Sequence, residues 1–215
     1  MPRTRNTTAR TRDREATQQR ILDAVGHVLA REGFAGIGVN AIAKEAGVDK
    51  VLIYRYFGGL PELLALYGGS GQFWPTVDEL LQGLPTDPGL TLAHALDHIV
   101  GRFIHALSAR PLTVEILAWE TVTRNELTAV LETVREDWGQ QLEARLTQRY
   151  TDVKSDVPAL MIIFTAAIQY FMVRARTIRI YGGIDLHTEA GWQRLRAAMA
   201  TALNAVLTPH APGPV

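Results

Sequence analysis

The first clear pattern in the chain is a run of apolar residues spaced three and four apart between a threonine and a glycine. Such spacing is typical of a helix with one buried face. Thr17 precedes the run as an N-cap residue and Gly33 follows it as a stop signal, which predicts a helix over residues 17–32. The apolar positions of this helix are Ile21, Leu22, Val25, Val28 and Leu29.

Two shorter helices are predicted directly after it. Residues 39–46 keep the helical spacing and end at Gly47, which can adopt the positive φ of a tight turn. Asp49 is an N-cap residue type and opens a third helix that ends at Phe57. Because Ala43 is small where the second and third helices cross, this spacing predicts a helix-turn-helix.

The third helix has an unusual outer face. Ile53 and Phe57 are four residues apart and are predicted to point inward. The residues left on the outer face are Lys50, Val51, Tyr54 and Arg55. Two cations beside an apolar side chain and a phenol suit phosphates, base edges and thymine methyl groups in a DNA major groove. The alternative is that Tyr54 and Tyr56 only cap a small core.

The rest of the chain reads as helices separated by glycine and proline breaks, with no alternation that indicates a strand. The predicted ranges are 61–67, 75–82, 91–109, 112–122, 125–149, 157–177 and 189–207. The helix over 157–177 is apolar on nearly every face, so it must be covered on all sides. We expect it to form a four-helix bundle with the last helix and their symmetry mates, the alternative being that both helices close the protomer's own core. The predicted dimer contacts are Leu160, Phe164, Phe171, Trp192, Leu195, Met199 and Val206.

Composition and charge narrow the function classes. The 215 residues are 47% apolar and contain no cysteine, which excludes disulfides, thiolate metal sites and a cysteine nucleophile and suits a reducing cytoplasm. The longest apolar stretch, residues 159–173, contains polar residues and is short for a membrane span, so no membrane partner is expected. Net charge is zero overall, but residues 1–60 carry ten Lys/Arg and six Asp/Glu, a net +4 that favours a polyanionic partner for this end.

Residues 19–64, QRILDAVGHVLAREGFAGIGVNAIAKEAGVDKVLIYRYFGGLPELL, resemble the DNA-binding domain of the TetR family of bacterial transcriptional regulators. The shared anchors are the apolar repeat of the first helix, Gly33-Phe34, Ile42-Ala43, Ala46-Gly47-Val48 and Tyr54-x-Tyr56-Phe57. The resemblance implies double-stranded DNA and a second copy of the chain as partners, because dimers of this design read near-palindromes. It implies that the DNA-binding residues are Lys50, Val51, Leu52, Tyr54, Arg55, Tyr56, Asn40 and Thr17.

Three positions depart from the family pattern. Gly38 stands where a threonine N-cap is usual, and Val51 stands where a small residue is usual, so base readout is expected to be bulkier and more apolar. Leu60 stands where a lysine commonly contacts phosphate. Six arginines at the N-terminal end can compensate by contacting the minor groove or the backbone. These arginines are Arg3, Arg5, Arg10, Arg12, Arg14 and Arg20.

The middle helices offer weak candidates for chemistry. His94 and His98 are four residues apart but lack a third metal ligand, so we expect no metal and no cofactor. No nucleophile elbow, phosphate loop or paired-carboxylate signature is present, so we predict that the chain is not an enzyme. Glu120 and Arg124 are expected to form an ion pair or to contact a ligand. By analogy with the family, a pocket for a small apolar or aromatic effector would use Trp74, Phe103, Trp119, Glu120, Arg124 and Tyr170.

The sequence therefore predicts an all-α protein in three parts: a flexible basic arm over residues 1–16, a helix-turn-helix domain over 17–60, and a larger helical effector-binding and dimerisation domain over 61–215. The predicted function is that of a cytoplasmic, ligand-responsive, dimeric DNA-binding regulator. The alternative is a helical-bundle small-molecule carrier without DNA binding, which would leave the outer face of the third helix unexplained.

Overall fold

The computed structural model describes residues 4–87, 89–150 and 156–207, with side chains from residue 11 onward. Within these residues the chain forms ten helices and one short hairpin. The helices are α1 (Thr4–Gly36), α2 (Val39–Ala46), α3 (Lys50–Phe57), α4 (Leu60–Gly69), α5 (Val77–Leu81), α6 (Leu92–Ser108), α7 (Pro111–Glu120), α8 (Glu126–Thr147), α9 (Val157–Ala175) and α10 (Glu189–Leu207). The strands are β1 (Ile180–Tyr181) and β2 (Ile184–Asp185).

The predicted all-α class is confirmed, and the helices from α4 onward begin and end within two residues of their predicted bounds. Glycine and proline signals account for this agreement. Asp156 caps α9 by accepting a hydrogen bond from the Ala159 N–H at 3.1 Å. Thr76 and Thr91 cap α5 and α6 in the same way.

The predicted start of the first helix at residue 17 is wrong. α1 begins at Thr4, so Thr17 lies inside the helix and does not cap it. Its hydroxyl donates to the carbonyl oxygen of Asp13, one turn earlier, at 2.7 Å. The residues before Ile21 are rich in helix-forming arginine, glutamate, glutamine and alanine, but they lack an apolar face to reveal the helix.

The β1–β2 hairpin is the second departure, since no strand is expected from the sequence. Ile180 pairs with Asp185 and Tyr181 with Ile184 across a two-residue turn. The turn residues Gly182 and Gly183 have φ of 56° and 76°. Positive φ at both positions is the type I′ turn, which matches the twist of the strands that it joins.

Contacts divide the described residues into two units. The first comprises the residues up to Trp74 together with Glu115–Glu136, and the second comprises Pro75–Val114 and the residues from Asp137 onward. In the first unit α1 packs against α2 and α4, and α3 packs against both α2 and α4. In the second unit α6 packs against α5, α9 and α10.

The core of the first unit includes a close contact at the kink of α1. Gly33 interrupts the helix with φ 65° and ψ −168°, a conformation open to glycine. A Cβ atom built there would lie 2.7 Å from the indole ring of Trp119. The same indole donates its N–H to the Ala30 carbonyl oxygen at 3.2 Å. Gly33 is therefore required both by the backbone and by the ring against it.

Two partly exposed ion pairs hold helices of the second unit together. Arg110 donates to both carboxylate oxygens of Glu79, the shorter contact being 2.7 Å. Arg196 pairs with Asp97 at 2.9 Å and lies against Gly101, where a Cβ atom would come within 2.7 Å of the guanidinium carbon. These contacts fix α5 and α10 on the central helix α6.

Candidate nucleic-acid interface

The short helix α3 is held at both ends by backbone geometry that its sequence supplies. Asp49 accepts a hydrogen bond from the Val51 N–H at 2.8 Å, which confirms it as the N-cap. Gly47, between α2 and α3, has the predicted left-handed φ of 64°. The Gly58 N–H closes the other end by donating to the Tyr54 carbonyl oxygen at 3.0 Å. An eight-residue helix is marginal alone, so these caps and its packing define its position.

The two faces of α3 divide as the sequence predicts. Ile53 and Phe57 are buried, whereas Val51 and Tyr54 are 61% and 54% exposed. Lys50 and Arg55 are also exposed, and Leu52 and Tyr56 are half-buried at the edges of the face. We call the residues Lys50, Val51, Tyr54 and Arg55 the α3 face. This face combines positive charge with apolar and phenolic surface. A DNA groove presents the matching groups, which are phosphates, base edges and thymine methyl groups.

The start of α2, which precedes α3 in the chain, has no side-chain cap. Gly38 is extended, with φ −171°, and makes no side-chain cap hydrogen bond. Asn40 is exposed in the first turn. The amides at this helix start are suited to an anionic oxygen, as the sequence analysis expects for a phosphate.

Ion pairs hold α2 against α1 on the side away from the core. The Arg31 guanidinium lies 3.0 Å from Glu45 of α2 and 2.9 Å from its neighbour Glu32. Hydrogen bonds from Arg31 to Glu32 and Glu45 raise the pKa of the Arg31 guanidinium, so it stays charged. The side chains of Arg31, Glu32 and Glu45 are partly exposed to solvent. The two ion pairs therefore orient α2 against α1 but contribute little to the free energy of folding.

The N-terminal part of α1 meets α3 through one cation–aromatic contact. The Arg14 guanidinium lies 5.2 Å from the centre of the Tyr56 ring. Arg12 and Arg20 are exposed on the same helix. The side chains of Arg3, Arg5 and Arg10 lie outside the described side chains. The basic segment that the sequence analysis treats as a flexible arm is helical from Thr4 onward.

Four of the predicted effector residues lie in the first unit and contact other residues of that unit: Trp74, Trp119, Glu120 and Arg124. Trp119 lies against Gly33 of α1, and Glu120 pairs with Arg135 at 2.9 Å. Burial raises the pKa of the Glu120 carboxyl, and the Arg135 charge opposes that rise. Trp74 is buried with its ring 5.6 Å from the Arg135 guanidinium.

The predicted Glu120–Arg124 pair is wrong. Helix α7 ends at Glu120, so Arg124 is not one helical turn further along the same face. Arg124 is exposed and pairs with Glu132 of α8 at 3.0 Å. Glu120 takes Arg135 as its partner, a contact between α7 and α8 that helical spacing within one segment cannot indicate.

A small apolar cavity lies in the second unit. Its volume is about 10 Å³, and Phe103 is the predicted effector residue among those lining it. The remaining predicted residue, Tyr170, is exposed on α9. The lining residues are Leu80, Ile99, Val100, Phe103, Trp138, Met161, Phe164, Thr165 and Ile168. Thr165 and the indole of Trp138 supply the polar atoms of this set, so the cavity suits an uncharged molecule.

The predicted dimer contacts are divided between two sides of α9 and α10. Phe164 and Met199 are buried within the second unit, so almost none of their surface remains for a partner. Leu160, Phe171, Trp192 and Leu195 are half-buried, and Val206 is exposed. The opposite side of α9 carries an exposed apolar stripe that the sequence analysis did not single out. We define the α9 stripe as Ala159, Ile162, Ile163, Ala166 and Tyr170.

The α9 stripe is a large exposed apolar surface. Ile162 and Ile163 are 68% and 61% exposed, and only 17% of the most apolar window of α9 is buried. By length and composition α9 could cross a membrane. Helix α9 also packs on α6, and its buried residues are Phe164, Ile168 and Met172. One face of α9 therefore lies in the core, and the other exposes an apolar surface of the kind found at protein interfaces.

The histidines considered as metal ligands have other partners. The His94 Nδ1 atom lies 2.8 Å from the Thr91 hydroxyl, and the His98 Nε2 atom lies 3.1 Å from the Gln82 carbonyl oxygen. Across the described ranges, no three His, Asp or Glu side chains gather as a metal site requires.

Comparison with known proteins gives the same picture as the geometry of α1 to α3. Residues 21–65 match the family model described as bacterial regulatory proteins, tetR family. The chain is 28% identical over 183 residues to the HTH-type transcriptional repressor SCO4008 of Streptomyces coelicolor, a match that covers 83% of this chain and 90% of that protein.

Solved structures show the same fold at lower identity. A TetR family transcription regulator from Marinobacter aquaeolei superposes with a TM-score of 0.61 at 20% identity, covering 92% of this chain and 98% of that one. NalD of Pseudomonas aeruginosa, the secondary repressor of the MexAB-OprM multidrug efflux pump, gives 0.64 at 17% identity over 91% and 97%. The helix-turn-helix with its charged, exposed α3 face thus lies within the segment that matches the tetR family model of bacterial regulatory proteins, and the chain is similar to a transcriptional repressor over most of its length.

Proposed function

We propose that this regulator is a ligand-responsive repressor that binds a near-palindromic operator as a homodimer in the cytoplasm. The observation that carries the proposal is the α3 face, which exposes two cations, a valine and a tyrosine on a helix whose other side is buried. Repression is supported by the relative SCO4008, which is named a transcriptional repressor.

The proposed base contacts are Lys50, Val51 and Tyr54. Lysine suits guanine acceptors, and the exposed valine suits a thymine methyl group. Leu52, Arg55 and Tyr56 flank these residues and are proposed to contact the backbone or the bases. The amides at the start of α2 near Asn40 are proposed to bind one phosphate. Thr17 is proposed as a further polar contact from α1.

The N-terminal part of α1 is proposed to add backbone contacts. Residues 11–16 are exposed, so this part of the helix is free to meet a ligand. Since Arg14 lies over the Tyr56 ring at the edge of α3, the arginines of α1 are near the proposed phosphate contacts. Such contacts compensate for Leu60, which cannot neutralise a phosphate as a lysine does.

A homodimer is proposed because one α3 helix reads only a few base pairs. Two copies related by a two-fold axis bring two such helices to successive half-sites, about 34 Å apart or a related distance. The α9 stripe is the proposed centre of the interface. Its uncharged, apolar side chains suit the core of a permanent interface, where charged residues are rare.

The proposed effector is a compact, uncharged apolar or aromatic molecule. The cavity around Phe103 is lined almost wholly by apolar side chains. Its volume of about 10 Å³ has room for roughly one water molecule, whereas ligand pockets span roughly 300–1,000 Å³. Binding of any larger molecule would therefore require the surrounding helices to move. That movement is what a ligand needs to favour one state of the protein over another.

The test is selection of bound fragments from random and genomic duplex DNA, followed by a salt titration of the selected fragments. We expect the wild type to recover a near-palindrome whose affinity falls steeply as salt rises. The Lys50→Ala/Tyr54→Ala variant should lose it. Arg124→Ala, which removes an exposed arginine outside α3, is the matched control and should recover the same sequence.

Two results would contradict the proposal. The first is recovery of no sequence by the wild type. The second is equal binding of the same fragments by the wild type and the double variant, which would remove α3 as the reading helix. Either result would favour a helical-bundle carrier of small molecules.

A further inference from the structure

The β1–β2 hairpin is a rigid element rather than a loose connection between α9 and α10. Its type I′ turn needs positive φ at both central positions, which Gly182 and Gly183 adopt without strain. The Leu186 N–H donates to the Arg179 carbonyl oxygen at 2.8 Å, which extends the pairing beyond β2. The Arg179 side chain pairs with Asp185 at 2.9 Å across the hairpin.

The base of the hairpin is fastened to α10. Gly191, in the first turn of α10, is in close contact with the Asp185 carbonyl oxygen, so no larger residue fits there. The Trp192 indole donates to the Leu186 carbonyl oxygen at 2.9 Å. The His187 N–H donates to the Asp185 carboxylate at 3.0 Å. Because its base is fixed in this way, the hairpin presents its tip in one position.

The tip of the hairpin presents apolar and aromatic surface. Ile180 and Tyr181 are both exposed on β1. The Tyr181 ring meets two rings of α9 edge to face, with centroid distances of 5.9 Å to Tyr170 and 5.6 Å to Phe171. A hydrogen bond with the Tyr170 hydroxyl raises the pKa of Tyr181, so the Tyr181 phenol stays neutral. We call Tyr181, Tyr170 and Phe171 the aromatic pad; Ile180, the preceding residue of β1, points to the other face of the hairpin.

The aromatic pad continues the α9 stripe. Tyr170 belongs to both, because it follows Ile162, Ile163 and Ala166 along one side of α9 and also contacts Tyr181. The members of the combined surface are aliphatic side chains and aromatic rings, with no Asp, Glu, Lys or Arg among them. A surface of this kind is self-complementary, as an interface around a two-fold axis requires. Tyrosine held in place also contributes contact area at little entropic cost.

We propose that the β1–β2 hairpin is part of the dimer interface and that its aromatic pad packs against the second copy of this chain. The inference rests on the homodimer of the proposed function and adds to it a contact outside the helical bundle. Since the hairpin is fixed to α10, its contact also restricts how two copies can rotate against each other. The two copies are therefore held in one register along the α9 stripe.

The test compares dimer dissociation constants of four full-length chains by sedimentation velocity over a dilution series. The hairpin variant is Tyr181→Ser, which keeps both glycines of the turn. Ile163→Glu introduces a charge at the α9 stripe and tests the homodimer itself. Val122→Ser is the matched control, because Val122 is 76% exposed in the first unit and lies outside the stripe and the pad.

We expect the hairpin variant to dimerise on the order of tenfold more weakly than the wild type, or worse, since a symmetric interface loses each contact twice. The control should match the wild type. If the wild type dimerises, Ile163→Glu is monomeric and the hairpin variant is unchanged, the hairpin proposal is overturned while the homodimer stands. If the wild type is monomeric throughout, the homodimer and the hairpin proposal both fail.

A second measurement guards against local unfolding of the hairpin variant. The chain has no cysteine, so Tyr181→Cys introduces a single thiol in the aromatic pad without background. We expect its alkylation rate to fall as protein concentration rises through the dissociation constant. The thiol introduced by Val122→Cys should react at a constant rate. Equal behaviour of the two thiols would overturn the proposal even if the serine variant had misfolded.

Discussion

Helices α3 and α9 each expose more apolar surface than a solvated helix needs, but the two surfaces differ in charge. The α3 face sets Val51 and Tyr54 between Lys50 and Arg55. The α9 stripe sets Ile162 and Ile163 among alanines and a tyrosine, without a charged residue. Exposed apolar side chains alone therefore do not identify the partner.

The charges beside these apolar side chains indicate whether the partner is DNA or a second copy of the chain. A polyanion needs cations within reach, and the bases of a groove also need apolar and hydrogen-bonding contacts. A second copy of the same chain brings the same charges to the interface, so charges close to a two-fold axis would repel. The α3 face fits the first partner and the α9 stripe fits the second.

The largest expected effect comes from placing a charge on the α9 stripe. In an isologous interface Ile163→Glu introduces two carboxylates into an apolar surface, and burying each unpaired charge costs several kcal/mol. We expect the dimer dissociation constant to rise by roughly a thousandfold, measured by sedimentation velocity, with helix content unchanged. Operator affinity should fall with it. A dimeric Ile163→Glu protein would show that the stripe is not the interface.

The next effect concerns the α3 face. Each good base contact contributes about 1–3 kcal/mol, so Lys50→Ala/Tyr54→Ala should weaken operator binding by roughly a hundredfold or more. The stability of the protein should stay the same, because both side chains are exposed. Fluorescence anisotropy with the selected operator measures the loss. Dimerisation of this variant at wild-type strength would show that the two surfaces act separately.

The framework that presents α3 can be tested with two glycines. Gly33→Ala meets both a glycine-only backbone conformation and the Trp119 ring at 2.7 Å, so we expect a loss of about 3 kcal/mol in unfolding free energy. Gly47→Ala has a similar φ of 64° but nothing within 4 Å of the new Cβ atom. It should lose only about 1–2 kcal/mol. Urea denaturation measures both, and equal losses would contradict the role of the ring.

The smallest effect is the pH dependence of the hairpin. The hydrogen bond from the His187 N–H, with the Arg179 charge, lowers the pKa of the Asp185 carboxyl below its usual 3.8. A lowered pKa means that the stabilisation is present above the unfolded value and is lost as pH falls through the folded value. Melting temperatures of the wild type and Asp185→Asn should therefore differ at neutral pH, and the difference should shrink as the pH falls below 3.8. A constant difference across this range would contradict the assignment.

Much of the fold could be predicted because glycine, proline and capping residues mark the ends of most helices. Asp49 and Gly47 fix α3 from local sequence alone, and the spacing of Ile53 and Phe57 identifies its inner face. The exposed Lys50 and Tyr54 follow from the same spacing. Local sequence alone therefore predicts the central part of the candidate site.

The features that helical spacing does not predict depend on tertiary contacts or on a sequence pattern other than the helical one. The first part of α1 has no apolar face, so periodicity cannot detect it. The hairpin did leave a signal, since two glycines between Ile180-Tyr181 and Ile184-Asp185 indicate a two-residue turn.

The faces of α9 and the partner of Glu120 could not be read from spacing. A helix that is apolar on all sides does not reveal which side its own core covers, so Phe164 was assigned to the interface and Ile163 was not. Glu120 and Arg135 lie on different helices, and only their tertiary contact makes them partners.

The contact between Trp119 and α1 also gives the protein a built-in spectroscopic reporter. Of the four tryptophans, Trp119 is the most exposed. Its indole N–H donates a hydrogen bond to the Ala30 carbonyl oxygen beside the kink of α1. Indole emission shifts to the red when the ring exchanges a protein contact for water. A change in α1 would thus appear as a wavelength shift from this one ring, and Trp119→Phe would abolish it. The motion of the DNA-binding helices could then be followed in real time without a label.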